Sequence, residues 1–325
     1  MRKVVSMNIN RQDISTSVHP WNIFLPRGMI TKDERILLYY LAKEFYRGSG
    51  KIVDAGAFIG ASAYCLASGL RDNPSITNRT GIVYSYDLFR APNKHFADMV
   101  SDAMLTEVVH QRIPLYRLNA GCSLREIFEF QTGEFASSII IHEGSLLDFP
   151  WDCRNSIEIL FADVCKSVEL NGHLLRSFIP AMERGRSLLI HQDFFTIWHP
   201  YIIATMEYLR DYFEIALGQV SCTRVYRLIK PVPPDLLAQA AAYEFSREQK
   251  TELMLSAADS SPEPERPVIF GALIRDLYMV GDLYSAQEQM NRLAGSSFDR
   301  CVGWFPKLCH DCPELSVDVE RAARV

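Results

Sequence analysis

The stretch KIVDAGAFIGAS, residues 51 to 62, brings an acid, two glycines and a serine close together. It begins with a β-branched run typical of a buried strand, and helical character returns after Gly60. Gly56 and Gly60 allow a tight turn and a close approach of the backbone to a ligand, while Asp54 places a negative charge at the strand end. A pyrophosphate site uses glycines and free N–H donors at a helix N-terminus. The acid instead indicates a ligand that carries an ammonium group.

A second acid, Asp87, lies at the end of the next strand-like run, GIVYSYDLF at 81 to 89. A carboxylate in this place can accept hydrogen bonds from both hydroxyls of a ribose, and NAD enzymes use the same device. The first loop separates the two cases, because it reads D-x-G-x-x-x-G-x-S rather than G-x-G-x-x-G. We therefore expect S-adenosylmethionine as the cofactor, since it combines an ammonium group with a ribose. An NAD-dependent oxidoreductase is the disfavoured alternative.

Strands that alternate with helices must position these residues. Strand-like runs are predicted at 51–56, 81–89, 137–144, 157–163 and 186–195, and two further runs at 214–220 and 222–229 predict a closing antiparallel pair. Helical patterns lie at 30–50, where Thr31 and Glu34 form a capping-box signature, and at 61–70, 94–110, 124–132, 166–185 and 201–213. The expected fold class is α/β, with a doubly wound, mostly parallel, seven-stranded sheet.

The proline-rich segment PVPPD at 231–235 indicates where the sheet region ends. Two helical patterns follow, at 236–258 and 268–295, joined by a polar linker. We therefore expect three parts: an N-terminal arm (1–29), an α/β domain (30–230) and a helical C-terminal extension (231–325). The extension could support dimerisation or cover the site. Its Leu, Met and Tyr content favours a homodimer.

The composition limits the classes of partner. The chain has 325 residues, of which 48% are apolar and 22% charged, and its net charge is −5 without a long block of like charges. These values are typical of a globular protein and argue against a nucleic-acid partner. The absence of an apolar run long enough for a membrane span, or of a secretory signal, predicts a cytoplasmic protein that acts on a small molecule. The eight cysteines are scattered through segments that look like core and fit reduced thiols.

Four segments resemble class I S-adenosylmethionine-dependent methyltransferases: VDAGAFIGAS, SYDLF, EGSLLDFPW, and IEILFADVCKS followed by ERGRSLLIHQDF. Their order and spacing are most similar to the macrocin O-methyltransferase branch, which modifies sugars in natural products. The resemblance covers residues 30 to 229 and implies a Rossmann-like methyltransferase fold for the α/β domain. It also implies methyl transfer to a hydroxyl of a small secondary metabolite or sugar.

Residue by residue, the resemblance implies a cofactor site at the ends of the first three strands. Asp54 would lie near the methionine amine, Asp87 would meet the ribose, and the remaining members would form the cofactor turn (Gly56, Gly60, Ser62) and flank the adenine (Gly144, Ser145). The resemblance further implies a divalent metal at the ends of the fourth and fifth strands, held by a D-x-D-x-Y pattern and a paired acid. The corresponding segments here read Asp163-Val164-Cys165-Lys166 and His191-Gln192-Asp193, so the pattern is only half kept.

Methyl transfer needs an acceptor oxygen that is aligned and close to deprotonated. His191, Asp163 or Asp193 could act as the base, and Lys166 could anchor an anionic acceptor or favour loss of the metal. Alternatively, Asp163, Gln192 and Asp193 could hold Mg²⁺, which requires octahedral oxygen coordination. His199 is a further candidate base. Simpler interpretations are helix-capping aspartates and a buried, hydrogen-bonded histidine.

Three other hypotheses remain at this point. The half-kept metal pattern and the long helical tail also suit a non-catalytic subunit that binds S-adenosylmethionine or another nucleotide as a scaffold, and N-methylation would use the same cofactor. A zinc site at Cys301, Cys309, His310 and Cys312 is disfavoured, because structural zinc sites normally show two paired spacings and this segment has one.

Overall fold

A computed structural model of the chain describes residues 9, 11–16, 18–104, 119–151, 154–294 and 305–315. Within this part of the chain, seven strands form one sheet in the order β3-β2-β1-β4-β5-β7-β6. The strands are β1 (Lys51–Ala55), β2 (Val83–Asp87), β3 (Ile139–Glu143), β4 (Ile157–Ala162), β5 (Leu188–His191), β6 (Phe213–Val220) and β7 (Thr223–Leu228). The first five are parallel, and β7 runs antiparallel to both β5 and β6. The predicted fold class is confirmed.

The strand order reverses between β1 and β4, so the crevice outside their carboxyl ends is the place where an open α/β sheet binds ligands. Hydrogen bonds hold the loops after neighbouring strands in register at this edge. The amide of Asp163 donates to the carbonyl of Ala55 (2.8 Å), and that of Gln192 donates to Ala162 (3.1 Å). The acids predicted from sequence therefore follow the strands at one common edge.

The helices cover both faces of the sheet. In chain order they are α1 (Arg11–Thr16), α2 (Lys32–Tyr40), α3 (Ala61–Asp72), α4 (Lys94–Met104), α5 (Arg125–Thr132), α6 (Val168–Ser177), α7 (Pro200–Tyr208), α8 (Pro234–Ala242), α9 (Arg247–Asp259), α10 (Arg266–Met279), α11 (Leu283–Ala294) and α12 (Phe305–Asp311). The predicted capping box of Thr31 and Glu34 begins α2. It anchors the helix to the sheet as well, because Glu34 accepts a hydrogen bond from the Thr223 hydroxyl (2.8 Å).

Several helical predictions were too long. The helix expected at 166–185 ends at Ser177, before a short 3-10 turn that contains Pro180, which cannot continue an α-helix. Each helical pattern of the C-terminal extension is divided into two helices. The breaks fall at Tyr243 (φ +53°) and at Gly281 (φ +80°), where the backbone adopts the left-handed conformation that ends helices.

The helices of the C-terminal extension share a hydrophobic core with the sheet. Met254 of α9, Ile269 of α10 and Leu308 of α12 are buried in the same cluster as Leu189 of β5 and Ile202 of α7. The extension is therefore held by apolar burial, the dominant favourable contribution to folding. Among the described residues, no helix has the length and apolar character needed to cross a membrane.

Candidate active site

Asp54 lies at the end of β1 with no exposed surface. Its Oδ2 accepts a hydrogen bond from the Ser85 hydroxyl (3.3 Å), and Ser62 at the start of α3 lies close to the same carboxylate. Oδ1 is buried and has no hydrogen-bond partner among the described residues. Burial raises the pKa of Asp54 to about 7, against the opposing effect of the Ser62 hydroxyl. A buried carboxylate oxygen without a donor fits the ammonium group of an amino-acid ligand.

The two glycines in the loop between β1 and α3 lie against other parts of the protein, where a larger side chain would not fit. A Cβ on Gly56, whose φ is +100°, would lie 2.6 Å from the carbonyl oxygen of Asp163. A Cβ on Gly60, whose φ is +103°, would lie 2.9 Å from the side chain of Thr132 in α5. The loop after β4 and helix α5 therefore occupy the space that a Cβ would need. Any contact of these glycines with a cofactor would therefore use their backbone.

We expect Gly56→Ala to destabilise the fold by about 2 kcal/mol more than Gly185→Ala, because only the first adds a methyl group to an occupied space. Both positions have a left-handed φ, but a Cβ at Gly185 (φ +73°) meets no atom within 4 Å, so this control carries only the conformational cost. Urea denaturation measures both changes. Equal losses for the two variants would show that the contact between the loops after β1 and β4 is not tight.

Asp87 connects the loops after β1 and β2. Its Oδ2 accepts a hydrogen bond from the amide of Phe58 (2.9 Å), and its Oδ1 accepts one from the amide of Phe89 (2.7 Å). Both phenylalanines have a positive φ, +48° and +47°, which is uncommon for such residues and typical of functional sites. Burial raises the pKa of Asp87, and the two amides oppose this rise. Each carboxylate oxygen keeps a further lone pair, so the carboxylate can still accept ribose hydroxyls.

Gly144 and Ser145 follow β3 at the same edge. The amide of Gly144 donates to the carbonyl oxygen of Asp87 (2.9 Å), which places the loop after β3 beside the loop after β2. The Ser145 hydroxyl accepts a hydrogen bond from the amide of Leu147 (3.3 Å) and caps a short 3-10 turn. These contacts bring both predicted adenine-flanking residues next to the predicted ribose carboxylate.

Lys166 bridges the acids that follow β4 and β5. Its ammonium donates to Oδ1 of Asp163 (2.6 Å) and to Oδ2 of Asp193. The two carboxylate side chains are only 17% and 16% exposed, whereas the lysine side chain is 50% exposed. Burial alone would lower the pKa of Lys166, but the two adjacent carboxylates outweigh it and raise this pKa above its usual value. The ammonium is therefore charged at neutral pH.

The residues predicted to hold magnesium do not fit a divalent cation. The cation that contacts Asp163 and Asp193 is the Lys166 ammonium, which lies between the two carboxylates. In the described ranges, no group of three or more His, Cys, Asp and Glu side chains is arranged to hold a metal ion. The magnesium prediction is thus unsupported. Of the disfavoured zinc set, Cys301 lies outside the described residues.

The two candidate bases differ in accessibility. His191 has no exposed surface and lies in β5, and burial lowers its pKa to about 4. It offers no ring nitrogen to a substrate at the surface of the crevice. His199 is partly exposed and places Nε2 3.8 Å from Oδ2 of Asp193. The geometry therefore favours His199, which sequence reasoning ranked below His191.

A hydrogen-bond chain holds the ring of His199. The Tyr201 hydroxyl lies 3.0 Å from the backbone carbonyl oxygen of Cys165 and 2.9 Å from Nδ1 of His199. When the hydroxyl proton is donated to the carbonyl, Nδ1–H is the donor to the tyrosine oxygen and Nε2 carries the free lone pair; when it is donated to Nδ1, the ring proton lies on Nε2. Burial lowers the pKa of His199, which favours the neutral ring.

Comparisons with known proteins give structural matches only. No protein-family model and no curated protein matches the sequence. Among solved structures, the chain is similar to the O-methyltransferase NovP, with 14% identity and a TM-score of 0.43 over 61% of this chain and 80% of that one. It is also similar to CalS11, a calicheamicin methyltransferase, with 14% identity and a TM-score of 0.41 over 66% and 88% of the two chains.

Sequence reasoning missed the part of the N-terminal arm that packs against the first loop. The side-chain amide of Gln131 in α5 donates to the carbonyls of Arg27 and Ile59, and its oxygen accepts from the amide of Arg27. One glutamine thus links the arm to the loop that contains Gly60. No local pattern indicates such a contact, because about 70 to 100 residues separate these positions along the chain.

Proposed function

We propose that this chain is an S-adenosylmethionine-dependent methyltransferase that acts on a hydroxyl of a small, polar acceptor. The proposal rests mainly on two acids at the carboxyl ends of β1 and β2, next to the place where the strand order reverses. Asp54 has a buried oxygen that no donor of the described residues reaches, and Asp87 lies at the end of the adjacent strand. Together they match an ammonium group and a ribose at the two ends of one ligand.

The remaining predicted residues have consistent places in this proposal. Gly56, Gly60 and Ser62 would form the turn around the amino-acid end, and Gly144 and Ser145 would flank the adenine beside Asp87. The crevice between β1 and β4 would then direct the reacting methyl group towards the loops after β4 and β5. The cofactor supplies an electrophilic methyl carbon on a sulfonium, so no covalent enzyme intermediate is required.

The loops after β4 and β5 would bind and activate the acceptor. The cofactor would supply the methyl carbon, and the electron pair of its carbon–sulfur bond would stay on sulfur as the acceptor oxygen is methylated. The hydroxyl proton would pass to Nε2 of His199 in the tautomer that carries its own proton on Nδ1. Asp193, 3.8 Å from Nε2, would stabilise the protonated ring. Asp163 and Lys166 would be the other polar groups that face the acceptor.

Calorimetry with two ligands tests the proposal. S-adenosylhomocysteine carries the ammonium group and the ribose, whereas 5′-methylthioadenosine keeps the ribose and lacks the amino-acid end. We expect the first to bind more tightly. Failure of the folded protein to bind either ligand at high micromolar concentration would contradict the proposal. Binding without methyl transfer to hydroxyl- or amine-bearing metabolite pools would instead support the scaffold alternative.

The affinity for S-adenosylhomocysteine should rise with pH between about 5.5 and 7.5. The pKa of Asp54 is raised to about 7 in the free protein, so at lower pH the carboxyl is neutral and must lose a proton before it pairs with the ammonium group. The expected gain is on the order of tenfold across this range. 5′-Methylthioadenosine serves as the control, and its affinity should change much less. A flat profile for both ligands would place the ammonium group away from Asp54.

A further inference from the structure

We infer that the Lys166 ammonium takes the place of the divalent cation that the family resemblance puts between Asp163 and Asp193, and that it is the donor to the acceptor oxygen. The enzyme would therefore work without a metal. The inference deepens the proposed methyl transfer and rests on it only for the contact with the acceptor. The replacement of the metal can be tested on the protein alone.

The position and the charge of Lys166 argue against a divalent cation between Asp163 and Asp193. Lys166 donates to Oδ1 of Asp163 and to Oδ2 of Asp193, so its ammonium lies between the two carboxylates, where a bridging cation would lie. A divalent cation bound there would lie within a few ångströms of this ammonium, and repulsion between two cations in a largely covered site is unfavourable. A lysine at this position therefore competes with the metal and supplies one positive charge in its place.

The third N–H of Lys166 is the proposed donor to the acceptor. An ammonium has three protons, and two of them are used on the two carboxylates. The lysine side chain is half exposed whereas the carboxylates are mostly covered, so solvent reaches the lysine more readily than the two acids. Its remaining proton can be donated to an oxygen of the acceptor.

The position of His199 completes the arrangement. Nε2 of His199 lies 3.8 Å from Oδ2 of Asp193, and Lys166 donates to that same oxygen. The base and the ammonium are therefore neighbours on one carboxylate. An acceptor hydroxyl can give its proton to Nε2 while its oxygen accepts from Lys166, and the ammonium then stabilises the negative charge that develops on that oxygen. This pairing favours hydroxyl acceptors over amines, which have no oxygen to receive the lysine proton.

The decisive experiment is a titration of the full-length, metal-free protein with Mn²⁺, followed by electron paramagnetic resonance. We expect no saturable binding at millimolar concentration, and we expect turnover to be unchanged by EDTA. Saturable Mn²⁺ binding that Asp193→Asn abolishes would overturn the inference, whether or not methyl transfer has been observed. This measurement needs no Lys166 variant, so it does not depend on how well such a variant folds.

Substitution of Lys166 tests its contact with the acceptor. We expect Lys166→Ala to lower kcat on the order of 100-fold, with S-adenosylhomocysteine affinity within about twofold of the unmodified protein. Lys166→Arg should recover part of the rate, because a guanidinium can still bridge two carboxylates. Lys230→Ala removes the same charge from an exposed position after β7, at the opposite edge of the sheet, and should change nothing. Full activity of Lys166→Ala would overturn the assignment.

Discussion

Glu265→Gln is expected to lower the free energy of unfolding by about 3 to 5 kcal/mol. Glu265 of the C-terminal extension is paired with Arg224 of β7, and the two side chains are only 6% and 4% exposed. The same guanidinium donates to Ser261 (3.0 Å) and lies over the ring of Phe194, 4.3 Å from its centroid. Removal of the carboxylate charge leaves a buried cation without its partner. Urea denaturation followed by circular dichroism measures the loss.

Glu214→Gln provides the matched control for this substitution. Glu214 is also paired with an arginine of β7, Arg227, at 3.0 Å, but its side chain is 46% exposed, so the expected loss is below about 1 kcal/mol. The double substitution Arg224→Met with Glu265→Leu should recover much of the stability, because it removes both charges and keeps the apolar volume. A loss for Glu265→Gln no larger than for Glu214→Gln would contradict the proposed role of the pair.

Asp54→Asn is expected to weaken S-adenosylhomocysteine binding on the order of 100-fold, because it removes the charge that would pair with the ligand ammonium in a buried position. The affinity for 5′-methylthioadenosine should stay within a fewfold of the original value, since this ligand has no ammonium group. The amide is close to isosteric with the carboxyl, which limits the disturbance of the fold. Calorimetry with both ligands at pH 7.5 measures the two effects.

Asp87→Asn separates the ribose contact from the ammonium contact. Both ligands carry a ribose, so we expect both affinities to fall by a similar factor, about tenfold. If Asp54→Asn weakened both ligands equally, its effect would come from a disturbed loop. The amine would then have to bind elsewhere.

Much of the fold could be predicted from local patterns. The β-branched runs at β1 and β4 and the capping box of α2 correctly indicated the type and order of these elements. Their ends were less accurate, because the breaks depend on single residues. Tyr243 carries no sequence signal for a left-handed backbone, and it joins α8, which packs on α6, to α9, which packs on α7 and α10.

The sequence by itself determined which acids lie at the ends of which strands, because hydrophobic runs and their bounding residues depend only on near neighbours along the chain. Asp54, Asp87, Asp163 and Asp193 were all identified in this way. Only the tertiary structure decided what each acid contacts. It placed Lys166 between Asp163 and Asp193, buried His191, and brought Nε2 of His199 to 3.8 Å from Oδ2 of Asp193. These outcomes depend on distances between side chains from different strands and loops, which are set by packing and not by spacing in the sequence.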